Sequence, residues 1–231
     1  MHSKKYDFLI VGSGAGGATL ARELSRAGKD VLVVERGKYE EKIGTARDSL
    51  RYYDLNRLTK MPPQSKEGVI LWRAIMAGGS TVVSCGNATR CLEQEFAEFG
   101  IALDEELAEV EKEMKSSPIP QGLLSEGSER ILWAAKEPGY QMELMPKFID
   151  PVRCQKCGQC TTGCANGAKW TALDYLEEAR QNGVDIVYNT CVQQVVVGNG
   201  RARGVRGIGL HGEIEFLSDT VVLAAGGWEP L

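Results

Sequence analysis

The chain has 231 residues, 43% of them hydrophobic and 25% charged, with a net charge of −4. This is an ordinary globular composition, long enough for a substantial core, and its mild acidity gives no electrostatic reason to expect nucleic acid or an anionic membrane as partner. No apolar run approaches the ~20 residues needed to span a bilayer.

Residues 6–11 read as a continuous apolar strand, too short for the core of an export signal and running straight into a glycine motif. With no export signal, seven cysteines argue for reduced thiols, metal chemistry and a cytoplasmic setting rather than disulfides. Residues 15–27 follow as a helix with Leu20, Leu24 and Ala27 on one face, stopped by Gly28. Residues 31–34 form a second apolar strand ending at Glu35. Both strands are apolar on both faces, as a parallel sheet requires, so the pattern predicts a βαβ opening.

From about residue 37 to 151 the periodicity weakens, and Tyr52, Tyr53, Pro62 and Pro63 mark a loop-rich excursion. Within it, residues 103–114 form an acidic amphipathic helix with Leu103, Leu107, Val110 and Met114 at helical spacing, and 128–136 form another. A cysteine run follows, then a helix over 172–181 closed by Asn182-Gly183. Residues 184–188, 192–197, 203–208 and 214–217 read as short strands, with turns at Gly198-Asn199-Gly200 and His211-Gly212. Residues 221–225 are again wholly apolar and suit a buried parallel sheet.

Gly12-Ser13-Gly14-Ala15-Gly16-Gly17 satisfies G-x-G-x-x-G. Gly12 permits the tight turn out of the strand, Gly14 lets a pyrophosphate approach the backbone, and Gly17 allows helix and strand to pack closely, with the helix N-terminus facing the phosphates. A strand before, a helix after and an acid closing the next strand are the context that gives this short motif its meaning. Glu35, 18 residues after Gly17, is placed to accept hydrogen bonds from ribose hydroxyls, and its charge disfavours a 2′-phosphate. Farther on, Gly78-Gly79-Ser80-Thr81 can present backbone N–H groups and hydroxyls to an anion or a flavin edge.

The motif alone leaves NAD and FAD open. Three segments taken in their order bear on the choice: Asp7-Phe8-Leu9-Ile10-Val11-Gly12-Ser13-Gly14, Ala77-Gly78-Gly79-Ser80-Thr81, and Val221-Val222-Leu223-Ala224-Ala225-Gly226. In this order the chain resembles the glucose–methanol–choline (GMC) oxidoreductases, a flavoprotein family, over most of its length. Gly163-Cys164-Ala165-Asn166-Gly167-Ala168-Lys169 is similar to a cysteine-bearing stretch of some alcohol-oxidising branches. The resemblance implies FAD held by Gly12, Gly14, Ala15, Gly17, Glu35, Arg36, Gly78, Gly79, Ser80, Thr81, Asn87, Val192, Ala225 and Gly226. Of these, Asn87 would lie near the flavin and Val192 where the backbone meets adenine.

The fold this implies is α/β: a Rossmann-like, three-layer FAD/NAD(P)-binding domain formed by 1–46 and 184–231, with a helical and loop-rich insertion over 47–183. The function it implies is oxidation of CH–OH donors, with a small alcohol-type substrate and an electron acceptor or partner subunit. A cofactor-binding or electron-transfer subunit without a substrate site, and an inactive fragment, stand as alternatives. The resembled family places its catalytic histidine in the C-terminal half. Here the histidines are His2, at the terminus, and His211, in a turn, so no catalytic residue is assigned, and the chain corresponds to an N-terminal portion of the family.

Cys154, Cys157, Cys160 and Cys164 give the spacing C-x2-C-x2-C-x3-C of an iron–sulfur ligand run. In two-cluster ferredoxins the fourth cysteine serves the other cluster. With one run here, either Cys164 completes a single site or Cys85, Cys91 or Cys191 does. Residue 165 is Ala where the ferredoxin run has Pro. Zinc and a set of packed, metal-free thiols are the other readings.

Overall fold

The computed structural model describes residues 4–227; His2 and the segment 228–231 lie outside them. The chain divides into two compact units, one formed by 1–83 with 171–231 and the other by Ser84–Trp170.

The first unit is built on a six-stranded sheet. Its members in chain order are β1 (Lys5–Val11), helix α1 (Ala15–Arg26), β2 (Val31–Val34), helix α2 (Ala172–Gln181), β3 (Asp185–Val187), β4 (Cys191–Gly198), β5 (Arg201–Gly209) and β6 (Gly212–Leu223). The spatial order is β3-β2-β1-β6-β5-β4. β3, β2, β1 and β6 run parallel, and β6, β5 and β4 pair antiparallel.

Alternation along the strands sorts side chains into two cores. Ile10, Val31 and Val33 meet Ala21 of α1 and Ala179 of α2 on one face. Leu9, Leu32 and Val34 meet Val205 and Phe216 of the antiparallel part on the other. All four residues of β2 are buried, as strands covered on both faces must be. Helices, parallel strands and antiparallel strands thus form the three expected layers.

β6 departs from the expectation of two strands at 214–217 and 221–225. Residues 218–220 fall between those two expected strands, yet the strand is continuous over Gly212–Leu223. Residues 212–217 pair antiparallel with β5, and 217–223 pair parallel with β1. Ser218 is buried because its hydroxyl bonds the carbonyls of Asp7 and Thr220, at 3.3 and 2.7 Å. A satisfied hydroxyl can be buried without breaking a strand.

The first unit also takes in residues 47–83 and 171–183, which the sequence assigns to the insertion. The reason is apolar packing. Tyr52, Ala74, Met76, Val82 and Val83 form a third core against Leu173, and α2 covers the sheet beside α1.

The second unit is sparse in regular structure. It has short helices Glu93–Glu98, Asp104–Glu113 and Glu126–Ala134, and a two-residue antiparallel pair, Ser117–Pro118 with Pro146–Lys147. The helices expected over 103–114 and 128–136 are the second and third of these. No helix of the described residues is long and apolar enough to cross a membrane.

Candidate functional site: a nucleotide cleft and a cysteine cleft

A cleft of about 400 Å³ opens in the first unit where β1, β2 and β6 end together, with Val11, Val34 and Ala224 on its wall. In open α/β sheets this crevice beyond the carboxyl ends of the strands is where ligands bind. The first glycine motif turns here with Gly12 at φ +97°, a region that costs an L side chain energy. A Cβ on Gly12 would also fall 2.6 Å from the Ala224 carbonyl oxygen, and one on Gly17 would fall 2.0 Å from the Gly12 carbonyl oxygen. These two glycines let helix and strands close on one another. Gly14 differs: a Cβ there meets nothing within 4 Å, and the residue lines the cleft.

Gly14 is also the N-cap of α1, and no side chain of the described residues caps that end. The first-turn N–H groups have no intrahelical partner and, with the helix dipole, present positive potential to the cleft. Arg36 and Arg73 add cations on the lining, Arg73 also bonding Asp54 at 2.8 Å.

Glu35 lines the same cleft but is buried, and both carboxylate oxygens already accept protein hydrogens. Oε2 accepts from Ser13 N (2.9 Å) and Ser13 Oγ (2.6 Å), and Oε1 from Gly37 N (2.7 Å). A carboxylate has about four lone-pair positions, so capacity for a further donor remains. Ser13 is the keystone that the sequence reading passed over: its Oγ also accepts from Gly78 N at 3.2 Å, tying the two glycine motifs together.

The second motif packs back to back with the first, since a Cβ on Gly79 would stand 3.1 Å from Gly14 Cα. Its hydroxyls, expected to face a ligand, serve the protein as well. Ser80 Oγ accepts from Ala74 N, and Thr81 Oγ1 donates to the Gly78 carbonyl (2.6 Å) and accepts from Ala172 N (2.9 Å). On the far side, Thr190 N donates to the Glu35 carbonyl at 3.0 Å, which delivers Cys191 and Val192 to the lining.

The structure therefore gathers Gly12, Gly14, Ala15, Glu35, Arg36, Gly79, Ser80, Thr81, Val192, Ala225 and Gly226 around one cleft. Gly17 and Gly78 stand behind it as packing residues. Asn87 falls in the second unit, where its Oδ1 accepts from Lys147 Nζ at 2.8 Å. Ser13, a variable position of the first motif, and Arg73 and Thr190, outside both glycine motifs, join the lining. His211 stands exposed in the turn between β5 and β6.

The second unit has a cleft of its own, about 210 Å³, and all four cysteines of the run line it. Each interval between successive cysteines contains one left-handed residue, Lys156 (φ +56°), Gly158 (φ +70°) and Gly163 (φ +98°), which curls the run around the cleft. All seven cysteines of the chain are free. Burial pushes the Cys160 thiol up and the Lys169 ammonium down to about 8. Lys169 Nζ donates to the carbonyls of Ser84 (2.5 Å) and Cys160 (2.9 Å). Among the described residues, no three His, Cys, Asp or Glu side chains stand close enough to hold a single metal ion.

The parallel βαβ unit, the glycine-lined helix N-terminus and the acid closing β2 define a dinucleotide-binding protein of the Rossmann-like class. A family profile described as GMC oxidoreductase matches residues 6–229, and the chain belongs to that family. An uncharacterised GMC-type oxidoreductase of Mycobacterium tuberculosis is 32% identical, over 96% of this chain and 38% of its own length. A long-chain-alcohol oxidase of Arabidopsis thaliana is 29% identical, over 83% of this chain and 27% of its own. The crystal structure of pyridoxine 4-oxidase from Mesorbium loti has the same fold, with a TM-score of 0.66 at 18% identity, covering 96% of this chain and 50% of that one. The chain spans half or less of the length of these proteins.

Proposed function

We propose that this chain is the flavin-holding part of an FAD-dependent oxidoreductase acting on the CH–OH group of a small alcohol-type donor. The observation behind this reading is Gly14: an uncapped helix start, lining a cleft, with open space where a side chain would stand. A diphosphate fits such a backbone surface, because N–H groups and a helix dipole complement its charge without side-chain bulk. Arg36 and Arg73 balance further phosphate charge, and Glu35 retains acceptor capacity for ribose hydroxyls. Val192 offers backbone to the adenine, and Gly79, Ala225 and Gly226 admit close approach of the remaining cofactor.

FAD, when bound, supplies the two-electron hydride acceptor. The protein's part is to orient it and to exclude a 2′-phosphorylated nicotinamide cofactor through the Glu35 charge. A donor CH–OH group loses a hydride and a proton to become a carbonyl. No residue of this chain is assigned as the proton acceptor. The relatives named as alcohol and pyridoxine oxidases support an alcohol-type substrate, the electrons leaving to a separate acceptor or a partner subunit. Seven free thiols support a reducing, cytoplasmic setting.

The test is titration of the purified chain with FAD, ADP, NAD and NADP, followed by anaerobic mixing of the FAD form with primary alcohols. FAD and ADP binding, with bleaching of the flavin by an alcohol, is the expected result. Binding of NAD in preference to FAD would overturn the reading, and a flavin that no alcohol bleaches would restrict it to cofactor holding.

A further inference from the structure

We infer that the cleft of the second unit is a binding site for a cubane iron–sulfur cluster ligated by Cys154, Cys157, Cys160 and Cys164. The inference is independent of the flavin reading. It rests first on the backbone. One left-handed residue in each interval, Lys156, Gly158 and Gly163, turns the run so that all four cysteines line a single cavity. Nothing about the spacing requires this of the fourth cysteine, which in two-cluster proteins serves elsewhere. Here Cys164 shares the cleft with the other three. Cys85 and Cys91 of the same unit are exposed, and neither borders it.

The second observation is what else surrounds the cavity. Lys147, Lys156 and Lys169 line it, and no carboxylate does among the described residues. A cubane with four thiolates has a net charge of about −2 in its oxidised form, so a lysine-rich rim free of acids complements it and holds its potential up. Ile119, Leu123 and Ile149 supply an apolar wall. The backbone N–H of Ala168 points at Cys164 Sγ, 3.3 Å away, the kind of N–H···S bond that tunes such sites.

Anaerobic reconstitution of the full chain with ferrous iron and sulfide tests this. The expected product contains roughly four irons and four sulfides per chain, absorbs broadly in the visible and bleaches with dithionite. It also gives the paramagnetic resonance signal of a reduced cubane, which flavin does not obscure. Cys157→Ser and Cys160→Ser should each lose most of the iron, while Cys91→Ser keeps it. Circular dichroism of the iron-free variants checks that they remain folded, a fair expectation for the exposed Cys157. A folded chain that takes up no iron would overturn the inference. So would iron retained by the serine variants, or one tightly held zinc that blocks cluster assembly.

Discussion

A methyl group added at Gly17 would stand 2.0 Å from the Gly12 carbonyl oxygen, whereas one added at Gly14 meets nothing within 4 Å. The same motif therefore contains a packing glycine and a glycine that faces the open cleft, and two alanine variants should separate them. Gly17→Ala forces α1 off β1 and should cost about 1–3 kcal/mol or more, read as a lower denaturation midpoint. Gly14→Ala should leave the midpoint within about 0.5 kcal/mol and instead weaken FAD binding about tenfold or more, some 1.4 kcal/mol. Equal destabilisation by both would mean that Gly14 packs rather than binds. Glu35 makes a related point about buried charge. Its carboxylate satisfies the N–H groups of Ser13 and Gly37 and the Ser13 hydroxyl. Glu35→Ala leaves two backbone donors without it, at about 1–3 kcal/mol each. The variant should thus lose stability measurably even in the absence of cofactor, as urea unfolding will show.

At the scale of elements, α1 and α2 share, beside their apolar contact through Ala21 and Ala179, a buried cation. Arg22 is 6% exposed, its guanidinium carbon lies 3.5 Å from the centroid of the Tyr175 ring, and Nε bonds Glu23 at 2.8 Å. A desolvated cation–π pair of this kind contributes about 2 kcal/mol. Arg22→Ala should lower stability by about that much, and Tyr175→Leu in the same background should add little, because the pair acts as one. A fully additive double variant would show that the ring contact contributes nothing. Neither residue was legible as a partner of the other, since they are far apart in sequence and only the fold brings them together. What the sequence did disclose was whatever depended on local chemistry. The apolar runs of β1 and β2, the Gly28 stop and the glycine turn all announced the βαβ unit. The cysteine spacing left the fourth member of a ligand set open, and the structure places Cys164 on the same cleft as Cys154, Cys157 and Cys160. Long-range satisfaction was invisible. Ser218 lay between two expected strands until Asp7 offered its carbonyl. Ser13 looked like filler until Glu35 and Gly78 converged on it. The stretch over 47–83 lacked any period, so its assignment to the first unit had to come from the Tyr52–Met76–Val82 core.

Over the whole molecule, stability should turn down on the alkaline side for a reason visible at the start of β1. Burial, reinforced by the hydrogen bond to Asp185, pushes the Tyr6 phenol up to about 12, against about 10 in the unfolded chain. A raised folded value favours the neutral phenol. Its contribution is therefore complete below pH ~10 and disappears as the pH rises from about 10 towards 12. Tyr6→Phe should flatten part of that decline in a pH series of unfolding midpoints. Tyr52 and Tyr188, also raised by burial, keep the remainder. An unchanged slope would rule Tyr6 out as its source. The larger question of scale is how much of the chain the cleft proposed for the nucleotide needs. Every residue lining it belongs to the first unit, as do all three apolar clusters. The chain leaves that unit after Val83 and returns at Thr171. Those two points are near neighbours, because Ala172 N donates to Thr81 Oγ1 at 2.9 Å. A short glycine–serine linker in place of Ser84–Trp170 should therefore close without strain, and closing a short loop costs little entropy. The shortened chain is expected to unfold cooperatively and to bind ADP within about tenfold of the full chain, a difference of some 1.4 kcal/mol. ADP is the right probe because it tests the diphosphate, ribose and adenine contacts without requiring anything of the flavin ring. If the shortened chain folds but ADP binding is lost, residues outside the first unit complete the cleft. If it fails to fold, the second unit is part of the stability of the first.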